Sequence, residues 1–250
     1  MELVRKAIIL VAGMGTRLKP LTLNNHKCLT EVNGIPILIN ALTILSGCGI
    51  VQTTLVTGYL KQMIHDRIGN NFHNMEIIYA DNDIYEKTNT AWSLKIGLEK
   101  TSDYDELYLL EGDVFFEKEL FEKFLTFKER NATVLESYNT DLDGTFVELD
   151  VNYHVINWTH KSHRTENYTL EDKFKTVNIH KFSADFTHTV LKKYLYKNLS
   201  LSDGKEPLEN VMEMIVRENP DIITGFILHG EKWFEIDDLT DLKKAEEIFK

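Results

Sequence analysis

The sequence predicts an α/β fold with a mostly parallel sheet, and three observations carry that expectation. Short apolar runs alternate with helical patterns through the first half of the chain. A glycine-containing turn follows the first apolar run directly, and acidic residues stand just beyond a later one. Strands alternating with helices imply βαβ units and a parallel sheet, whose ligands bind beyond the carboxyl ends of the strands.

Taken in order, Ala7 to Ala12 is a continuous apolar run and reads as a buried strand. Ile37 to Leu45 has helical spacing, Thr53 to Thr57 reads as a strand, and a helix starts at Lys61. Glu76 to Tyr79 and Leu107 to Leu110 read as strands, followed by helices at Ala91 to Leu98 and Lys118 to Lys128. The pattern changes after about Asn131. Thr145 to Leu149 and His154 to Trp158 flank Asp150-Val151-Asn152-Tyr153 and read as a hairpin. Lys175 to Phe182 alternates like a further strand, with helices at Ala184 to Tyr196 and Leu208 to Arg217. Asp238 to Phe249 reads as a helix capped by Asp238 or Asp237. The expected layout is one domain over residues 1–250. Its core is about 1–135 and 220–250, and a mixed β insertion at about 136–219 covers it.

Composition narrows the possibilities. The chain has 250 residues, 43% of them hydrophobic and 27% charged, which excludes disorder, collagen and low-complexity scaffolds. Lys and Arg number 28 against 39 Asp and Glu, a formal net charge of −11. That balance argues against nucleic acid as a partner, since phosphate neutralisation needs excess cations. A small phosphorylated ligand needs only a few local ones. Cys28 and Cys48 make no disulfide framework and fit a reduced compartment. No apolar stretch approaches the roughly 20 residues of a spanning helix. The run after Arg5-Lys6 is too short for a signal peptide and leads into Gly13, Arg17 and Lys19. The expectation is a cytoplasmic chain with no membrane partner.

The most informative segment is Val11-Ala12-Gly13-Met14-Gly15-Thr16-Arg17-Leu18-Lys19-Pro20-Leu21-Thr22. Two glycines spaced by one residue let the backbone turn sharply, and exposed N–H groups in such a turn cradle anions. Arg17 adds a forked donor suited to phosphate oxygens. A Walker loop is absent, and the dinucleotide fingerprint fails because Leu18 stands where its third glycine belongs. The acids form a second group. Glu111-Gly112-Asp113 follows a buried run, and Trp233-Phe234-Glu235-Ile236-Asp237 places two acids two residues apart, on one face of a strand. Carboxylates in small number, joined by ligand phosphates, suit Mg²⁺.

The glycine segment, with Lys27-Cys28-Leu29 after it, closely resembles the signature of nucleotidyltransferases that act on sugar phosphates and related small phosphates. The family pattern is L-A-A-G-x-G-x-R-[LM]-x-P-[LM]-T, then P-K-x-[LM]. Val11 replaces an alanine, and His26 replaces a proline, which leaves the loop less rigid but keeps Lys27. The resemblance implies a Rossmann-like fold of the nucleotidyltransferase and GT-A type. It places the triphosphate of an NTP on Val11, Ala12, Gly13, Met14, Gly15, Thr16 and Arg17, with Lys27 and Arg17 catalytic. It puts Mg²⁺ on Asp113 and Asp237, with Glu235 as the additional acid. An E-x-D also occurs in nucleotide-sugar glycosyltransferases, but Arg17 and Lys27 favour the nucleotidyltransferase.

Within that family the chain is most similar to bacterial cytidylyltransferases of the phosphocholine and aminoethylphosphonate type. Matching stretches are Val56 to Tyr59, Tyr85 to Leu94, Glu111 to Asp113, Lys175 to Ile179 and Trp233 to Asp237. The branch implies CTP as the nucleotide, with Thr88, Asn89, Ser93 and Glu111 near it. The expected acceptor is a small amine-bearing phosphate or phosphonate such as phosphocholine, phosphoethanolamine, aminoethylphosphonate or a phosphorylated amino acid. Its candidate ligands are Trp92, Trp158, Lys175, Glu206 and Glu209. Lys205 to Asn210 has no aromatic residue where phosphocholine enzymes resemble L-Y-W-D-N, so Glu206 and Glu209 are expected to pair with a primary ammonium. Lys175 and Lys181 lie six apart on a strand pattern and therefore on one face, Lys175 being favoured for the acceptor phosphate. His154, His160 and His163 have no cysteine beside them and irregular spacing, and read as solvated rather than zinc-binding. Two other readings stand beside this one. They are a uridylyl- or thymidylyltransferase acting on a hexose 1-phosphate, and a non-catalytic nucleotide-binding module. A homo-oligomer stays open.

Overall fold

In the computed structural model, which describes residues 3–250, β1 (Arg5–Val11) runs through the middle of a ten-stranded sheet. Its last five residues are all buried, as a strand covered on both faces requires, and this is why the run shows no alternation. A short ribbon of β2 (Glu31–Val32) and β3 (Ile35–Pro36) leads into α1 (Ile37–Gly47). β4 (Gln52–Thr57), α2 (Lys61–Ile68), β5 (Asn71–Phe72), β6 (Met75–Asp81), α3 (Thr90–Lys100) and β7 (Glu106–Glu111) follow. β4 and β7 flank β1 and both run parallel to it, and β6 runs parallel to β4. Val11 pairs in register with Thr57, and Leu10 with Glu111. The carboxyl ends of these strands are therefore level, and the segments that leave them open on one edge.

The second half completes the sheet. After β8 (Val114–Phe116) and α4 (Lys118–Thr126) come β9 (Ala132–Ser137), β10 (Phe146–Leu149), β11 (Val155–Thr159) and β12 (Phe174–Ser183). α5 (Ala184–Phe186) runs through a π-turn into α6 (Lys192–Ser202), and α7 (Leu208–Glu218) follows. β13 (Thr224–Ile227), β14 (Trp233–Glu235) and α8 (Leu239–Ile248) end the fold. The expected hairpin is β10–β11, antiparallel.

The insertion is continuous with the core through the sheet. β12 pairs antiparallel with β7, β10 and β9 pair with β12, and β13 pairs with β9. The edge of β7 would otherwise expose unpaired backbone groups, and β12 satisfies them. The boundary expected near residue 135 falls inside β9. Among the described residues, no helix is long and apolar enough to cross a membrane.

Candidate active site

The loop after β1 turns on Gly15, whose φ of 57° lies in the left-handed region. A Cβ there would also stand 2.7 Å from the Cβ of Lys27, so both conformation and space require glycine. The Thr22 hydroxyl donates to the Gly15 carbonyl at 2.8 Å and pins the turn. Gly112, just past the end of β7, is constrained by space alone: a Cβ would meet Val11 Cγ1 and stand 2.8 Å from the Leu10 carbonyl oxygen.

Lys27 opens a short helical turn, Lys27–Leu29. His26 caps that turn: its Nδ1 accepts from the Cys28 N–H at 3.1 Å, and the residue is buried. The residue that stands in place of the proline is thus the cap of this turn. The imidazole fixes the turn that carries Lys27. Burial, reinforced by the neighbouring Lys27 charge, lowers the His26 pKa to about 4, so the ring stays neutral.

Lys27 Nζ donates to Asp113 Oδ2 at 2.7 Å and to Asp237 Oδ1 at 2.8 Å. Arg17 reaches the same Asp237 oxygen at 2.8 Å. β14 brings the late acids here by pairing with β8 (Glu235 against Val114), and the Ile236 N–H donates to the Asp113 carbonyl at 2.9 Å. Burial opposes the charge on Lys27, but Asp113 and Asp237 outweigh it and hold the ammonium above the usual lysine range. Burial raises Asp237, yet Lys27 and Arg17 hold it below its ordinary value. The cap of α8 is Asp238, whose carboxylate accepts from the Thr240 and Asp241 N–H groups. Asp237 is thus left to the site.

Two lobes of one cleft meet at this junction. The inner lobe, about 270 Å³, lies against the glycine loop and the amino end of α3. The outer lobe, about 950 Å³, lies beneath β12 and β14. Arg17, Asn89, Thr90, Glu111, Asp113 and Asp237 line both. In the outer lobe, Lys175 Nζ donates to Glu235 Oε2 at 3.1 Å and to the Thr176 carbonyl at 2.5 Å. Asn178 Nδ2 lies 3.3 Å from Glu111 Oε2 and 3.5 Å from Glu235 Oε1. Burial, then the facing Glu209, Asp113 and Glu235, push Glu111 well above the usual carboxylate range. Burial also raises Glu209, and raises Glu235 against the pull of Lys175.

Most residues expected at the site converge on the cleft. Val11, Ala12, Gly13, Gly15, Thr16, Thr88, Asn89 and Ser93 line the inner lobe, and Lys175 and Glu209 the outer. Others do not. Met14 is exposed and lines neither lobe. Trp92 packs against Gly204, beneath Lys95. Trp158 is 1% exposed within an apolar cluster, because the β10–β11 hairpin turns it inward. Glu206 accepts from Asn210 outside both lobes, so the carboxylate that faces Glu209 is Glu111. Lys181 does not share a face with Lys175. Its ammonium donates to the Phe127 carbonyl at 2.6 Å, beyond the end of α4, because β12 is irregular between Thr176 and His180. His160 lines the outer lobe, whereas His154 pairs with Asp150 at 3.1 Å.

Two residues escaped the sequence reading. Asn82, buried just past β6, donates to Thr88 and Ser93 and fixes the wall of the inner lobe. Its place after a parallel strand was the available signal. Asn178 was passed over because a regular strand would have turned it away.

The acids also fit a divalent cation. Asp113 Oδ1 is buried without a hydrogen-bond partner, and oxygens of Glu111, Asp113 and Glu235 lie within 4.8 Å of one another. Hard oxygen donors in such an arrangement suit Mg²⁺. The group includes Glu111, which was expected near the nucleotide, while Asp237 makes its contacts with Lys27 and Arg17.

A glycine loop, a lysine between two aspartates and a cleft of two joined lobes are thus gathered at one edge of the sheet. Residues 6–143 match the nucleotidyl transferase family, and the chain belongs to it. Over 248 residues it is 26% identical to the choline-phosphate cytidylyltransferase of Streptococcus pneumoniae, covering 98% of both chains. Over 175 residues it is 29% identical to the CMP-5'-(3-aminopropyl)phosphonate synthase of Streptomyces rubellomurinus. That match covers 70% of this chain but only 28% of the longer protein. The solved structure of the CTP:phosphocholine cytidylyltransferase from S. pneumoniae superposes with a TM-score of 0.80 at 25% identity, over 99% of this chain and 100% of that one.

Proposed function

We propose that the chain is a cytidylyltransferase. It transfers CMP from CTP to a small amine-bearing phosphate or phosphonate and releases pyrophosphate. The observation that carries this reading is the position of Lys27, within 2.8 Å of two carboxylates at the junction of the two lobes. The inner lobe takes the nucleotide and the outer lobe the acceptor. CTP is favoured because the relatives above are named for CTP or CMP.

An anionic oxygen of the acceptor attacks the α-phosphorus of CTP in line, and the bond to the α,β-bridging oxygen breaks as pyrophosphate leaves. The attacking oxygen carries no proton, so no general base is needed. The protein holds two anions together and absorbs charge in the transition state. The Gly13 to Thr16 amides and Arg17 hold the leaving pyrophosphate. Lys27 neutralises charge between the acceptor and the α-phosphate. Asp113 and Asp237, with Glu235 and the nearby Glu111, would hold Mg²⁺, which when bound draws charge from the phosphate oxygens.

The outer lobe supports an amine on the acceptor. Glu235 is paired with Lys175, whereas Glu111 and Glu209 have no cation partner among the described residues. Trp233 and Phe234 are the only indole or phenyl rings described there, and the Lys175 ammonium lies 5.8 Å from the Trp233 centroid. A quaternary ammonium would need a cage of free rings, so a primary ammonium suits the lobe better. The test is product mass spectrometry with five nucleotides against phosphocholine, phosphoethanolamine, aminoethylphosphonate, phosphoserine, phosphoglutamine and glucose 1-phosphate. A CMP adduct of an amine-bearing acceptor is expected. A UMP or dTMP adduct of the sugar phosphate alone would overturn the assignment.

A further inference from the structure

Regular strands repeat every two residues, so residues 175 and 178 should face opposite sides of β12. Both face the outer lobe. The four steps from Thr176 to His180 span only two of β9, from Leu135 to Thr133, and Asn178 within them has a φ of 62°. Bulges that re-aim a side chain concentrate beside functional sites, and a non-glycine residue held in the left-handed region is a feature to be explained. The result of this one is that Lys175 and Asn178 both donate to Glu235, and Asn178 also reaches Glu111. Glu111 ends β7 and Glu235 ends β14, so the amide ties together two acids from distant segments. The Thr176 hydroxyl donates to Asn178 Oδ1 at 3.0 Å, which turns the amide nitrogen toward the acids. The residue is 6% exposed and lines the outer lobe alone.

We propose that Asn178 is a positioning residue for the acceptor: its amide sets the Glu111 and Glu235 carboxylates where the acceptor meets them. The proposal rests on the transfer reaction above. The competing explanation is conformational, because asparagine is among the few residues other than glycine that enter the left-handed region readily. Substitutions separate the two. Asn178→Gly keeps the backbone and deletes the amide. Asn178→Asp keeps the shape and replaces the donor with a third acid. Thr176→Val keeps the amide and releases its orientation.

The test is steady-state kinetics of all three variants with CTP and the best acceptor. Asn178→Gly should lower kcat/KM for the acceptor about 10- to 100-fold, the range for hydrogen bonds to charged groups. Asn178→Asp should lower it further and Thr176→Val less. KM for CTP should change less than kcat/KM for the acceptor, because Asn178 itself lines the outer lobe and not the inner one. Wild-type kinetics in Asn178→Gly would overturn the proposal and leave the conformational explanation. A wild-type enzyme that transfers nothing would remove the transfer reading instead. The crystal structure of Asn178→Gly then decides separately. Displaced Glu111 and Glu235 side chains would support the positioning role, and unmoved ones would end it.

Discussion

Lys27 and Asp237, 210 residues apart in sequence, meet at 2.8 Å where the two lobes of the cleft join. The contact depends on both ends of the chain. The glycine turn sets Lys27 at one end, and β14, paired with β8, delivers Asp237 from the other. The charge on Lys27 is secured by the two carboxylates it touches, so it is present throughout the neutral range.

Replacing Lys27 should therefore damage the chemical step more than binding. Lys27→Ala is expected to lower kcat on the order of 100- to 1,000-fold, the range for removing one preorganised charge donor. The KM for CTP should move far less. Steady-state kinetics at saturating CTP decide the matter, and an unchanged kcat would remove Lys27 from the reaction.

The neighbouring acids Asp237 and Asp238 have separable tasks. Asp238 caps α8, so Asp238→Ala should cost about 0.5–2 kcal/mol of stability while kcat stays near wild type. Asp237→Asn should abolish most activity. Thermal melts and initial rates on both variants test the division. An inactive Asp238→Ala with an unaltered melt would contradict it.

Glu209 should act on the acceptor alone. Glu209→Gln keeps the shape of the side chain but removes the charge that faces the outer lobe. KM for an amine-bearing acceptor should rise about tenfold, as expected for losing a partly screened charge pair, with no change for CTP. If both KM values rise together, Glu209 shapes the whole cleft rather than recognising the amine.

Acid should destabilise the fold through buried imidazoles. His180 has its pKa lowered from 6.5 to about 3 by burial, with Lys175 adding repulsion. Below pH 6.5 the unfolded chain binds a proton that the folded chain refuses. The stabilising effect of neutral His180 is thus whole above pH 6.5 and is lost progressively down to about pH 3. Between pH 6.5 and 5 that loss amounts to about 2 kcal/mol. Denaturant melts should show a shallower decline for His180→Gln than for wild type. Parallel declines would mean that His180 does not titrate on unfolding.

Much of the fold was legible because its signals are local. The doubly buried run of β1, the helical spacing of α1 and the cap at Asp238 depend on neighbours in sequence, as does the turn built on Gly15. The late acids could be placed by their two-residue spacing and by their resemblance to known motifs. What stayed hidden depends on long-range pairing. Nothing local says that β12 joins the edge of β7, so the way the insertion at about 136–219 extends the core sheet was not legible. The irregular stretch around Asn178 breaks the alternation that put Lys175 and Lys181 on one face. Trp158 and Glu206 had the right chemistry for a ligand, but one is packed inside and the other is engaged by Asn210. Asn178 showed no pattern of its own, since its role arises only when Glu111 and Glu235, from distant strand ends, come together.

The most direct test is acceptor-dependent pyrophosphate release from CTP in the presence of Mg²⁺, with aminoethylphosphonate and phosphoethanolamine as acceptors. The proposed reaction predicts one pyrophosphate per CMP adduct formed, and almost none when the acceptor is left out. Tight CTP binding with no pyrophosphate released for any acceptor would contradict it and leave the chain a nucleotide-binding module.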